Sequence, residues 1–305
     1  MGDSSAQRTY RSYTIGWICA LSVEMAVAKG MLDEIHQRLP PVRGDSNVYT
    51  LGSICGHNVV LACLPAGVYG TSSASNVATQ MLSTFPSIRF SLLVGIGGGV
   101  PGGTADVRLG DIVVSKPTGI FGGVIQYDYG KTVESGRFQR TGALNKPPSI
   151  LLTALASLEA DQLAGFTRIP FYLSQMHQRY PSMAKFTHPG PETDILFKAR
   201  YYHADATDGN CSQCSPGYLI YRKPRLSTDP SLHCGLREEI LCFEMEAAGI
   251  MDHMPSLVIR GICDYADSHK NKQWQPYAAA TAAAFAKELL SVIPARKSRG
   301  NTDIK

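Results

Sequence analysis

Hydrophobic and polar positions alternate along this chain in blocks that read as strands separated by helices. Residues 13–20 form a short apolar run, the expected first strand, and Ser22 then caps a helical segment containing Glu24, Met25, Val27 and Ala28 that fades near Gln37. Residues 48–54 and 59–64 predict a hairpin turning through Gly56-His57-Asn58. A Ser- and Ala-rich helix is expected over 71–82, then a strand over 90–94 that ends in Gly95-Ile96-Gly97-Gly98-Gly99. Residues 110–115 and 121–127 carry β patterns, and 150–158 a helical one. From about 165 to 230 the periodicity fails among scattered aromatics and prolines, which marks an irregular insertion or lid. Order returns with Leu241-Cys242-Phe243 as a buried strand end and Ala247-Ala248-Gly249 as the opening of a helix. Residues 256–264 form a last strand, and Pro276 starts an Ala-rich helix running to Ile293. The alternation predicts the α/β class: one domain over 13–293 with a central mixed, largely parallel, twisted sheet flanked by helices. A disordered polar segment (1–12) and a basic flexible tail (294–305) are expected to flank it.

Bulk composition narrows the classes. At 44% hydrophobic and 18% charged, the 305 residues can bury a substantial core. Most of the formal +4 sits in the tail, where Arg296, Lys297, Arg299 and Lys305 face only Asp303. No basic face is left to demand nucleic acid. No apolar run is long enough to span a membrane and no signal-peptide core is visible, so a cytoplasmic protein is expected. Cys19, Cys55, Cys63, Cys242 and Cys263 lie in apolar runs and read as small buried hydrophobes. Cys211-Ser212-Gln213-Cys214 is a C-x-x-C, but with His233-Cys234 it matches no standard zinc spacing, and no metal or cofactor is assigned.

The candidate chemistry sits at strand ends. Glu24 follows the first strand, Glu244 and Glu246 a late one, and Asp264 the last; in open α/β sheets such loops converge on one crevice. Glu246 has the chemistry to accept two hydrogen bonds from a vicinal diol, as a sugar provides. Backbone at Gly97 and Gly98 offers a floor without side chains. Gly97 to Gly102 fits G-x-G-x-x-G only nominally, because Pro101 interrupts it and a strand rather than a helix follows, so a nicotinamide enzyme is not expected. Neither a P-loop nor a G-x-S-x-G elbow is present.

Five motifs in order carry a resemblance: the first strand with Glu24, Val94-Gly95-Ile96-Gly97-Gly98-Gly99, Gly110-Asp111-Ile112-Val113-Val114-Ser115, Phe243-Glu244-Met245-Glu246-Ala247, and Cys263-Asp264-Tyr265-Ala266-Asp267. Together they resemble the nucleoside phosphorylase and nucleosidase superfamily, in the branch of purine nucleoside phosphorylases and methylthioadenosine/adenosylhomocysteine nucleosidases, with wording like that of fungal members. The resemblance implies N-glycosidic cleavage of a purine nucleoside, with Asp264 protonating the purine and Glu24 orienting or deprotonating the attacking water. It places Met245 under the ribose, Glu246 on its hydroxyls, and Glu244, Gly97, Gly98 and Ala20 in the binding wall. It also implies a homo-oligomer and a small-molecule ligand. Phosphorylases of this branch carry an arginine and a hydroxyl residue at the positions of Leu93 and Ile96; both are apolar here, so hydrolysis of an adenosine- or inosine-type nucleoside is expected over phosphorolysis. For a nucleotide, Lys116, Lys131 or Arg200 would have to meet the phosphate. The stretch 233–243 contains no S-G-D or S-G-N type element, which relatives use for the base. That departure keeps a phosphorylase and a non-catalytic nucleoside-sensing or interaction module as alternatives.

Overall fold

A computed structural model describes residues 8–102, 105–204, 211–225, 227, 229–234, 240–270 and 272–295. In chain order the elements are β1 (Ile15–Cys19), α1 (Ser22–Met31), β2 (Glu34–Ile35), β3 (Thr50–Ile54), β4 (His57–Cys63), α2 (Thr71–Thr84), β5 (Phe90–Gly99) and β6 (Ile112–Val114). They continue with β7 (Gly130–Thr132), β8 (Phe138–Arg140), α3 (Ser149–Leu163), α4 (Ile169–Arg179), β9 (Leu232–Cys234), β10 (Cys242–Phe243), β11 (Ser256–Asp264) and α5 (Gln275–Val292). Among the described residues, nine strands form one sheet ordered β2-β3-β4-β1-β5-β11-β6-β9, with β10 pairing β5.

The centre of that sheet is parallel: β4, β1, β5 and β11 run the same way. β1 is buried throughout and β11 up to its last residue, as strands covered on both faces must be. One face packs on α1, α3, α4 and α5 through Trp17, Leu92, Ile259 and Phe285. The other packs on α2 and the turn at 247–249 through Ile18, Leu93, Val258 and Met81. β1 stops first, its last pair with β5 being Ile18 with Leu93, while β5 and β11 run on together to Gly99 and Asp264, and Glu24 after β1 lies against that projecting end.

Several expectations are corrected locally. The first helix stops at Met31, and its N-terminus is held by the Glu24 carboxylate, third in the helix, rather than by Ser22. The hairpin turns at Cys55-Gly56, whose φ values of 50° and 79° are those a two-residue primed turn needs. The glycine run continues β5 as strand instead of ending it. Residues 121–127 contribute only a bridge between Thr118 and Phe121, and the β pairing comes later, as β7 with β8. Within the stretch 165–230, α4 buries Ile169, Tyr172, Leu173 and Met176, spaced to share one helix face. Ala247–Gly249 makes a single 3-10 turn, not a helix, because Gly249 lies against the backbone of Thr71 on α2 and β11 begins seven residues later. Of the segment 1–12, residues 10–12 form a turn while 1–7 lie outside the described residues, as do 296–305 of the tail and 235–239 of the shortened base-side stretch. No helix among the described residues is long and apolar enough to cross a membrane.

Candidate active site

Glu24 is 2% exposed, and both carboxylate oxygens are engaged by backbone. Oε2 accepts from the N–H of Ala20 at 2.7 Å and of Leu21 at 3.0 Å, and Oε1 accepts from the N–H of Ile96 at 2.8 Å. One side chain thus ties the end of β1 to the glycine run of β5. A Cβ on Gly95 would collide with Glu24 Oε1 and Arg260 Nη1, so this glycine is what lets the two groups meet over the strand.

Arg260 is the residue that the strand-end reasoning missed. It pairs opposite Gly95 in the middle of β11, and its side chain is only 2% exposed. Its Nη2 donates to Glu244 and, at 3.3 Å, to Glu246 Oε2. Nε and Nη1 are buried without a hydrogen-bond partner among the described residues. Buried charge is tolerated only when paired, and an unmet buried donor is costly, so these two N–H groups call for a polar partner. The signal was legible: one arginine inside a nine-residue strand that is otherwise apolar or small until its final acid.

Three carboxylates surround this guanidinium. Glu244 also accepts from the N–H of Glu246 at 3.1 Å and of Ala247 at 2.9 Å, which fixes the 3-10 turn. Burial raises the Glu24 carboxyl above its ordinary value, opposed by Arg260 and by the backbone N–H groups of Ile96, Leu21 and Ala20. Burial likewise raises Glu246, with Arg260 opposing and the charges of Glu244 and Glu24 adding to the rise. Three acids around one cation leave a surplus of negative charge. Burial also pushes the neighbouring Cys242 thiol up to about 12, so it stays protonated, as expected of a buried hydrophobe.

Asp264 is set apart from this cluster. It follows a bulge in β11 and pairs opposite Gly98, where a Cβ would press on Asp264 Oδ1. Successive strand residues face opposite ways, so Asp264 meets the Gly98 face of β5 while Glu24 and Arg260 meet the Gly95 face. Its Oδ1 accepts from the N–H of Ala266 at 2.8 Å, and Lys270 Nζ lies 3.9 Å away. Met245 is 67% exposed between the two acids of its motif. Ala20, Gly97 and Gly98 line the edge as backbone: Ala20 through its bond to Glu24, Gly97 against Cys242 and Phe243, Gly98 in pairing with β10. The structure therefore gathers Glu24, Glu244 and Glu246 on Arg260 and leaves Asp264 across the strand edge. Of the cations considered for a phosphate, Lys116 is engaged by Glu159 at 2.7 Å.

No protein-family model matches the chain. The crystal structure of a methylthioadenosine/adenosylhomocysteine nucleosidase from Colwellia psychrerythraea, in complex with adenine, superposes with a TM-score of 0.53 at 16% identity, covering 95% of this chain and 99% of that one. The chain has the nucleoside phosphorylase/nucleosidase fold. In sequence it is 45% identical over 314 residues to a nucleotide-binding leucine-rich repeat (NLR)-like protein of the fungus Hyaloscypha variabilis, covering 95% of this chain and 31% of that protein. It is 24% identical over 294 residues to the ATP nucleosidase Cap17 of Escherichia coli, covering 94% of this chain and 52% of that protein. The nucleosidase-fold chain thus spans about a third to a half of these two relatives.

A concavity of about 640 Å³ lies between the insertion and the start of α5. Among the described residues its guanidinium groups are matched, Arg108 with Asp106 at 2.7 Å, Arg222 with Asp194 at 2.9 Å and Arg225 with Asp111 at 2.5 Å.

Proposed function

We propose that this chain hydrolyses the N-glycosidic bond of a purine nucleoside or nucleotide, releasing the base. The observation that carries the reading is the buried Arg260, held by Glu244 and Glu246 beside Glu24, with two N–H donors unmet among the described residues. A water bridging those donors to Glu24 is positioned as a nucleophile, and a carboxyl raised by burial is suited to taking its proton. Glu246 and Glu244 bind the sugar hydroxyls, with the exposed Met245 covering the ring. Asp264 donates to the base from across the Gly98 edge, so the scissile bond crosses the glycine backbone. Glycosidic cleavage passes through an oxocarbenium-like state, which a surplus of carboxylate stabilises.

The same surplus disfavours phosphorolysis. An inorganic phosphate would meet three acids and one cation, and the backbone N–H groups of Ala20, Leu21 and Ile96 are already held by Glu24 rather than open to it. Incubation of the purified chain with adenosine, inosine, methylthioadenosine and ATP, with and without phosphate, tests this. Base plus free sugar in phosphate-free buffer is the expected result; sugar 1-phosphate formed only with phosphate replaces the reading with a phosphorylase.

A second reading rests on the separation of Asp264 from the acid cluster: a module that binds the nucleoside without turning it over. Calorimetric binding with no base release, unchanged in Asp264→Asn, would favour it. ATP belongs in the panel because of the similarity to a protein of that activity.

A further inference from the structure

The insertion holds a group of side chains that the proposed chemistry does not use. His203, Cys211 and Cys214 place one imidazole nitrogen and two sulfur atoms all within 4.8 Å of one another. The sequence offered His233-Cys234 as the partner of the C-x-x-C, but those residues lie on β9, where His233 Nε2 bonds Asp111 at 2.9 Å. His203, eight residues upstream of Cys211, takes that place through the folding of the insertion. The turn between the cysteines closes by the Cys214 N–H donating to the Cys211 carbonyl at 3.1 Å. Both cysteines are thiols and not a disulfide.

We propose that His203, Cys211 and Cys214 bind a zinc ion that fastens the insertion to the loop following Asp264. Two thiolates and an imidazole are zinc's preferred donors, and bonds of about 2.3 Å to sulfur and about 2.0 Å to nitrogen set tetrahedral ligand atoms roughly 3.5–3.8 Å apart. The three ligand atoms, all within 4.8 Å of one another, lie near that spacing. A water or one further side chain completes the fourth position. Binding exchanges the two thiol protons for the metal and releases them to solvent.

The surroundings give the ion a purpose. The His203 N–H donates to Ser268 Oγ at 2.9 Å, and its ring meets His269 edge-on at 5.3 Å. Past the second cysteine, the Ser215 N–H donates to Tyr201 Oη at 2.8 Å, and Tyr201 stacks on Tyr218 at 4.3 Å and on His269 at 5.6 Å. His269 is fixed in turn by Asp267, through its own N–H at 2.8 Å and its ring Nδ1 at 3.1 Å. Both flanks of the knuckle therefore rest on the loop 265–270, whose first residues hold Asp264. The ion acts by positioning that loop.

Metal analysis of the full chain, purified without chelator, tests the proposal. We expect about one zinc per chain, falling about tenfold in Cys211→Ser and in Cys214→Ser and unchanged in a Cys63→Ser control. Because a knuckle variant can fail to fold, the wild-type chain is also stripped and reloaded with cobalt, where a thiolate-to-cobalt charge-transfer band is expected. Folded wild type without zinc and without the cobalt band overturns the proposal. So does zinc retained in the Cys211→Ser/Cys214→Ser double variant, or a Cys211–Cys214 disulfide found by mass spectrometry in the freshly purified chain. These readouts measure metal, not turnover, so they stand or fall separately from the nucleosidase reading.

Discussion

Two buried carboxylates, one on the β5 side of β11 and one on the β6 side, use arginine in opposite ways. Asp111, 1% exposed at the entrance to β6, accepts from Arg225 Nη1 and Nη2 at 2.5 and 2.7 Å, from His233 at 2.9 Å, and from the N–H groups of Arg108 and Ser231 at 2.8 and 3.0 Å. Burial alone would raise its carboxyl, but the bonds from His233 and Arg225 win and hold it below the ordinary value. Around Glu24 the ratio is reversed: three acids share Arg260, burial wins, and two donors of the arginine stay unmet among the described residues. A saturated acid with surplus cation is a clasp, here tying β9 and the insertion to β6. An under-saturated cation among surplus acid is a place prepared for something else.

The comparison breaks most visibly at Glu24. Glu24→Gln keeps the shape and is expected to lower turnover about 10³-fold with the fold intact, since a positioned acid–base group contributes roughly 10²–10⁴. Chromatographic assay of released base beside a thermal melt checks it; turnover within a factor of about three would remove the proposed base. Asp111→Ala should do the reverse. Leaving Arg225, His233 and two backbone donors unmet is expected to cost about 3 kcal/mol in urea unfolding, with activity per folded molecule unchanged. A loss of activity without loss of stability would make Asp111 part of the site.

Arg260→Met sharpens the contrast by removing the charge that lowers Glu24 and Glu246. The acid limb of kcat/KM against pH is expected to move upward by about one pH unit, as the loss of a close opposite charge implies. An unmoved limb would mean that another group titrates. The smallest effect concerns stability against pH. Glu24 is raised in the folded chain, so folded molecules hold its proton more tightly, and its contribution is present at low pH and declines as pH rises from the ordinary value through the raised one. Asp111 is lowered, so its contribution is present above the ordinary value and declines as pH falls through the lowered one. Unfolding free energies from urea titrations across pH should therefore differ between wild type and Glu24→Gln by about 1 kcal/mol, with the opposite slope to that of an Asp111→Asn pair.

Much of this was readable in advance, and the gaps have causes. The strands β1, β5 and β11 announce themselves because a strand covered on both faces is a continuous apolar run. The Ala-rich α5 does so for the same reason, being buried along most of its length. The helix α4 was hidden by the prolines and aromatics around it, although Ile169, Tyr172, Leu173 and Met176 follow helical spacing. The helix expected after Glu246 shrank to one turn, because the carboxylate of Glu244 caps it and Gly249 abuts α2.

Local pattern fixed which strands exist and that acids stand at their ends, because burial and strand period are properties of neighbouring residues. It could not decide which acids share a cation. Glu24, Glu244 and Arg260 meet only because β1, β5 and β11 lie parallel and in register, and the bulge before Asp264 turns that acid to the other face of β5. The pairing of His203 with the C-x-x-C is of the same kind. Charge balance and ligand geometry depend on distances between residues far apart in the chain, and only the folded sheet sets those.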